Sequence, residues 1–144
     1  MANKLTINVI QNLPTPHNNV LLKYLLRDKR FKVNLWYAKG SDSKYPWKKN
    51  LANQYKKSMI FGTKINLKFI LYCLKNRNEK YFITGAGNLN AFILYILFFL
   101  FGFKYNHWRD LPNEKIFSLK NFIRNKILLS SNNKIFTHGK EAVN

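Results

Sequence analysis

The sequence predicts an α/β fold of one domain, built on a doubly wound parallel sheet. Segments rich in β-branched and aromatic residues alternate with helical segments along the chain, and this alternation is typical of a parallel sheet with helices on its faces. Residues 1–38 read strand, loop, helix, strand, which is a βαβ unit. A length of 144 residues and a hydrophobic content of 47% suit one domain with a real core.

The first βαβ unit begins with a strand over Lys4–Ile10, a β-branched run with partial alternation. The next nine residues contain two prolines and three asparagines and form a loop. We expect Asn18 or Asn19 to cap the helix over residues 20–28, because short polar side chains favour that position. Phe31–Ala38 is the second strand.

The middle of the chain starts with a polar surface segment, Lys39–Asn53, and a short strand around Met59–Phe61. Ile65–Lys75 has the composition of a helix. Lys80–Thr84 is a strand that stops at Gly85-Ala86-Gly87, since glycines favour turns.

The last part of the chain contains its most apolar stretch, Ala91–Phe103. Thirteen residues are too few to span a bilayer, which takes about 20, so we expect a buried core helix over residues 88–101; contact with a membrane surface is the alternative. A strand over Phe103–His107, a helix over Phe117–Leu129 and a strand over Lys134–Thr137 complete the fold.

The charge balance is strongly basic, with 25 Lys and Arg against 6 Asp and Glu, a net charge of +19. The excess attracts phosphate-rich partners, or it reflects compositional drift in a chain heavy in Lys and Asn. Six carboxylates exclude an acid-rich metal cage. Lone Cys73 cannot form an internal disulfide and is expected to be buried. The N-terminus lacks a signal-peptide pattern, so a cytoplasmic location is expected.

Ligands of doubly wound sheets bind beyond the carboxyl ends of the strands, and the three histidines, His17, His107 and His138, are predicted at such ends. The glycines after the Lys80–Thr84 strand lack the third glycine of a dinucleotide loop, and the chain has no P-loop, no hydrolase elbow and no zinc-ligand spacing. No metal and no cofactor are therefore expected.

The densest chemical cluster is His107-Trp108-Arg109-Asp110. A carboxylate beside a guanidinium stays ionised and can orient a group or accept a proton. A surface turn in which Asp110 pairs with Arg109 is the equal alternative.

Three segments resemble the N-terminal domain of a GT-B-type glycosyltransferase, specifically glycosyltransferase family 4. They are Thr15–Ala38, with its Thr-Pro-aromatic opening, Phe103–Pro112, and Lys134–Asn144, with its Gly-Lys-x-Ala. The resemblance implies two Rossmann-like domains that face a cleft. Residues 1–144 would be the acceptor-side domain. The C-terminal donor-binding domain, which carries an acidic pair, would be a missing partner, so transfer by this chain alone is not expected.

The resemblance also implies roles for single residues. The loop with His17, Asn18 and Asn19 would line the cleft near the donor phosphate and the acceptor. Gly85 and Gly87 would let the backbone approach the acceptor.

By the same resemblance, His107 or Asp110 would act as the catalytic residue that orients or stabilises the reacting sugar, and Arg109 would bind substrate. The implied reaction moves a sugar from a nucleotide-sugar co-substrate to a glycan or lipid-linked acceptor in cell-envelope polysaccharide synthesis, with no bound metal.

Other functions stay open at the level of sequence. Family members with lipid-linked acceptors attach to membranes through basic and apolar patches, so an anionic surface at the inner face of the membrane is an expected partner. A nucleic-acid-binding module is disfavoured, because the basic residues are dispersed and no recognition motif is present. A non-catalytic remnant is the remaining alternative.

Overall fold

The computed structural model of the chain describes residues 4–40, 58–84, 88–109 and 135–137. These residues form six strands and three helices in the order β1 (Leu5–Gln11), α1 (Pro16–Arg27), β2 (Phe31–Tyr37), β3 (Ser58–Ile60), α2 (Leu67–Lys75), β4 (Lys80–Thr84), α3 (Leu89–Leu100), β5 (Asn106–Arg109) and β6 (Ile135–Thr137).

The six strands form one parallel sheet in the order β3-β2-β1-β4-β5-β6. On one side of β1 the successive strands are β2 and β3, and on its other side they are β4, β5 and β6. The direction in which strands are added to the sheet therefore reverses between β1 and β4. This is the Rossmann-like strand order. The predicted α/β, doubly wound class is therefore confirmed.

The helices cover both faces of the sheet because alternate strand residues point to opposite faces. On one face, Ile7, Val9 and Leu35 pack in a cluster with Leu22 of α1. On the other face lies a larger cluster that contains Ile10 together with residues of α2 and α3. Cys73 belongs to this second cluster, is buried as predicted, and its burial raises the pKa of its thiol.

Helix α1 is capped by Thr15, so the prediction that Asn18 or Asn19 caps it is wrong. The backbone N–H of Asn18 donates to Thr15 Oγ1 at 3.3 Å, and Pro16 occupies the first turn. Proline fits there because the first helical N–H groups have no partner within the helix. Two asparagines cap the other helices: Asn66 caps α2 and Asn88 caps α3.

Strand β5 covers Asn106–Arg109 rather than Phe103–His107. Gly102 ends the α3 turn with a φ of +66°, and the N–H of Phe103 donates back to the carbonyl of Phe98 at 2.8 Å. The rings of Phe103 and Tyr105 then pack against Phe98, 5.3 and 5.8 Å from it. These aromatic residues therefore pack in the core under α3, and the pairing of β5 with β4 starts only at Asn106.

Helix α1 begins four residues earlier than predicted, because Thr15 caps it in place of an asparagine. Apart from β5, the other described elements agree with the sequence to within two residues. The polar segment from residue 41 to 53 and the predicted helix over Phe117–Leu129 lie outside the described residues.

A buried polar network surrounds Asn8 in the middle of β1. The fully buried Asn8 donates through Nδ2 to Glu79 Oε2 at 2.6 Å. Its Oδ1 accepts from Asn34 Nδ2 at 3.1 Å and from Trp36 Nε1 at 3.2 Å. Asn34 also donates to the hydroxyl of Tyr72 on α2 at 3.2 Å. The network ties β1, β2 and α2 to the turn that precedes β4.

Helix α3 is buried on one face only, so the expectation of a fully buried helix is wrong for its other face. Five of its residues are buried: Asn90, Ala91, Leu94, Tyr95 and Phe98. Leu89, Phe99 and Leu100 are exposed. Within the described ranges, no helix has both the length and the apolar character needed to cross a bilayer.

The carboxylate of Asp28, at the end of α1, pairs with Arg30 at 2.6 Å. Hydrogen bonds from the Arg30 side chain, and then from its backbone N–H, lower the pKa of Asp28 to about 2. Because this pKa lies below the ordinary value of 3.8, the contribution of the pair to stability is present above pH 3.8 and is lost as the pH falls through 2.

Replacement of Arg30 by glutamine is expected to move the Asp28 midpoint back toward its ordinary value, as measured by NMR titration of the carboxyl carbon. Arg27→Gln is the matched control, since it removes one nearby positive charge without touching the pair. A midpoint that moves equally in both variants would show that general charge, and not the hydrogen bonds, sets this pKa.

Candidate functional site

The switch point of the sheet lies between the carboxyl ends of β1 and β4, which are neighbours in the sheet. Helix α1 starts shortly after β1, and α3 starts shortly after β4. Because the two helices lie on opposite faces, their N-termini flank the crevice between the strand ends. Rossmann-like folds bind ligands in this crevice.

Gln11 is the last residue of β1 and pairs with Tyr37 of β2 and Thr84 of β4. Its side chain is only 4% exposed, yet Oε1 has no hydrogen-bond partner among the described residues. A buried amide oxygen without a donor costs about 1–3 kcal/mol. A group of this kind in a native fold needs an explanation, and a ligand that donates to it is one.

The predicted loop residues lie in the first turn of α1 and not in a free loop. His17 and Asn18 follow Pro16 directly. Asn18 is half-buried and uses its N–H in the Thr15 cap. Asn19 is buried at 5% exposure, and its N–H donates to the Thr15 carbonyl at 3.0 Å. The structure thus places Asn18 and Asn19 in the first turn of α1, seven and eight residues after Gln11.

The ring of His107 lies in the core and not at a strand end. It is the second residue of β5 and 3% exposed, and its Nδ1 is 2.5 Å from the hydroxyl of Tyr95 on α3. The two rings meet edge to face at 5.4 Å. His107 can therefore influence a substrate only through its neighbours, as a positioning residue.

Several predicted residues are described only in part or not at all. Arg109 is the last residue of β5 and pairs with Thr137 in the ladder, which puts its backbone at the carboxyl edge. Gly85, Gly87 and Asp110 lie outside the described residues.

The electrostatics of the crevice favour an anion. Neither α1 nor α3 carries an acidic residue in its first turn, so the partial positive charge of each helix N-terminus is not neutralised from within. Asn88 caps α3 by accepting from the N–H of Asn90 at 2.8 Å. In the described segments, no group of three or more His, Cys, Asp or Glu side chains could hold a metal ion.

Sequence reasoning missed Gln11 and Asn88. The strand predicted over Lys4–Ile10 ends one residue before Gln11, which places Gln11 in the loop. The dipeptides that flank the two helix starts, Thr15-Pro16 and Asn88-Leu89, are cap signals that could have located both walls of the crevice.

The strand order and the crevice define a Rossmann-like α/β domain with a ligand crevice at its switch point. No family model matches the sequence, and neither the curated proteins nor the solved structures contain a match. The resemblance to glycosyltransferase family 4 accordingly stays a prediction.

Proposed function

We propose that this chain is the acceptor-binding half of a glycosyltransferase, which transfers a sugar from a nucleotide-sugar to a glycan or lipid-linked acceptor in cell-envelope polysaccharide synthesis. The observation that carries the proposal is the buried Gln11 Oε1, which lacks a donor among the described residues at the switch point. Sugar hydroxyls are donors, and a buried carbonyl oxygen without a partner gains most from one.

Two further features support the proposal. The N-termini of α1 and α3 favour the phosphate groups of a nucleotide-sugar or of a lipid-linked acceptor. The segment that most resembles the family, Thr15–Ala38, begins at the wall of this same crevice.

The proposed roles follow the positions of the residues. Gln11 accepts a hydrogen bond from an acceptor hydroxyl. Asn18, in the first turn of α1, and His17 would contribute to binding as the resemblance implies. Arg109 is the last residue of β5, and Asp110, the next residue in the sequence, would orient the reacting sugar. His107 holds α3 against β5 through Tyr95, and a donor-binding domain would complete the cleft.

Gln11→Met is expected to weaken acceptor binding about five- to tenfold, the worth of one hydrogen bond. The same change should leave the melting temperature unchanged or raise it, because it removes a buried amide that has no partner. Binding is measured by NMR titration of the chain with a water-soluble polyprenyl-diphosphate-sugar analogue. The matched control is Asn106→Leu, a half-buried amide of β5 that is in register with Phe82 and lies two residues before the carboxyl-edge row of Gln11 and Thr84.

The proposal fails if the analogue does not bind, or if Gln11→Met and Asn106→Leu bind it equally well. Transfer is assayed with a donor-binding domain supplied in trans. If alanine at both His107 and Asp110 left the transfer rate unchanged there, those two residues would be excluded from the site.

A further inference from the structure

Helices α2 and α3 lie on the same face of the sheet. Phe69, Ile70 and Cys73 of α2 share one buried cluster with Leu94 and Phe98 of α3. Because both helices turn these residues inward, their opposite sides face away from the sheet in the same general direction. The α2–α3 outer face is defined here as the outward residues of the two helices: Leu67, Lys68, Leu71 and Lys75 on α2, and Leu89, Phe92, Ile96, Phe99 and Leu100 on α3.

The α3 part of this face is entirely apolar. Its five residues recur at the spacing of one helical stripe, and three of them are exposed, with Leu100 at 68%. The neighbouring Phe101 is exposed at 62%. Water normally faces a polar stripe on a surface helix, so a stripe of this composition indicates a contact with an apolar phase.

The α2 part of the face adds positive charge beside the apolar stripe. Lys68 and Lys75 are exposed on the same side as Leu67 and Leu71, which are 67% and 62% exposed. Lys64 lies just before α2, and its carbonyl accepts from Asn90 of α3 at 2.8 Å. Lys104 follows the α3 turn and is exposed. Lysines therefore border the apolar surface near both ends.

The α2–α3 outer face has no acidic member. Among the described residues from 58 to 109, the only carboxylate is Glu79, which is engaged with Asn8. A second copy of the chain, itself at +19, would be repelled by this surface. An anionic bilayer satisfies both features, because its headgroups attract lysines and its acyl boundary accepts apolar side chains.

We propose that the α2–α3 outer face docks on an anionic lipid surface, with α3 lying in the plane of the interface and Phe99, Leu100 and Phe101 inserted among the lipids. The proposal does not depend on the transferase activity, because it concerns the α2–α3 outer face and not the crevice at the strand ends. A twelve-residue helix can lie in an interface without spanning the bilayer.

The test is flotation of the full chain with vesicles of phosphatidylcholine alone or with phosphatidylglycerol added, at low and high salt. We expect binding to the anionic vesicles at low salt and weaker binding as salt rises. Lys68→Gln with Lys75→Gln should weaken partitioning about 30-fold, because each basic residue near the surface is worth roughly a factor of five. The matched control is Lys23→Gln with Arg27→Gln on α1, which has the same charge change on the other side of the sheet.

A second pair of variants tests the apolar contribution. Leu100→Ser with Phe101→Ser should abolish detectable binding, and Val20→Ser with Tyr24→Ser, two exposed apolar residues of α1, should not. Circular dichroism melting shows that each variant is folded.

Three outcomes overturn the proposal. One is absence of binding to anionic vesicles at low salt. Another is equal weakening by the α1 and α2 charge variants, which would assign binding to net charge alone. The last is concentration-dependent dimerisation that Leu100→Ser with Phe101→Ser removes while vesicle binding persists, which would assign the face to a second copy.

Discussion

Phe98→Ala is expected to lower the free energy of unfolding by about 3–5 kcal/mol, the usual cost of removing a buried phenyl ring. Phe98 is completely buried. Its ring meets Tyr81 of β4 edge to face at 5.0 Å and also touches Phe103 and Tyr105. The ring thus fills the space between α3, β4 and the segment that leads into β5.

The next residue on the same helix supplies the control. Phe99 is 43% exposed, so Phe99→Ala should change stability by less than about 1 kcal/mol. In thermal melts followed by circular dichroism, the Phe98 variant should lose roughly 10 °C and the Phe99 variant little. Equal losses would mean that α3 is not oriented on the sheet as described.

Asn8→Ala is expected to lower the free energy of unfolding, measured by urea titration, by about 2–4 kcal/mol. The change removes the side chain that links Glu79, Asn34 and Trp36 in one buried network. The indole N–H of Trp36 loses its acceptor and the Glu79 carboxylate loses its donor. A buried donor left without a partner costs about 1–3 kcal/mol. Asn34 keeps one contact, to the hydroxyl of Tyr72, so its share of the loss is smaller.

Asn8→Asp separates the two sides of the network. The introduced carboxyl still accepts from Asn34 and Trp36, but it faces Glu79 at hydrogen-bonding distance, so its pKa is raised. A raised folded-state pKa makes the variant least stable at neutral pH, with recovery as the pH falls toward about 4. Adding Glu79→Gln should restore stability at pH 7. If the double variant stayed as unstable at pH 7 as Asn8→Asp, the carboxylate of Glu79 would not be the cause of the destabilisation.

Much of the sheet could be predicted from the sequence because its strands are short, apolar and β-branched. Lys80–Thr84 was predicted to the residue, and the alternation with helices was enough to predict the parallel class. Asn8 could not be recognised as a core residue, since its partners Asn34 and Glu79 are far away in the chain and nothing local signals their meeting.

The site was harder to predict than the sheet, for reasons that lie in single residues. Strand β5 ends two residues later than predicted, so His107 is not at the strand end but in the core beside Tyr95. The outward side of α3 could not be predicted, because a helix that is apolar all round has no periodicity to show which face is buried. Gln11 became visible only when its burial and its hydrogen bonds were known.

The central position of β1 also has a consequence for the order in which the chain can fold. β1 pairs with β2 across a single short helix, but its other neighbour is β4, about half the chain length further on. During synthesis, the β1–α1–β2 unit can form early, while the opposite edge of β1 stays open until residues 80–84 leave the ribosome. Contacts of this sequence separation are slow to close, so the nascent chain exposes an unpaired strand edge while about 70 further residues are synthesised.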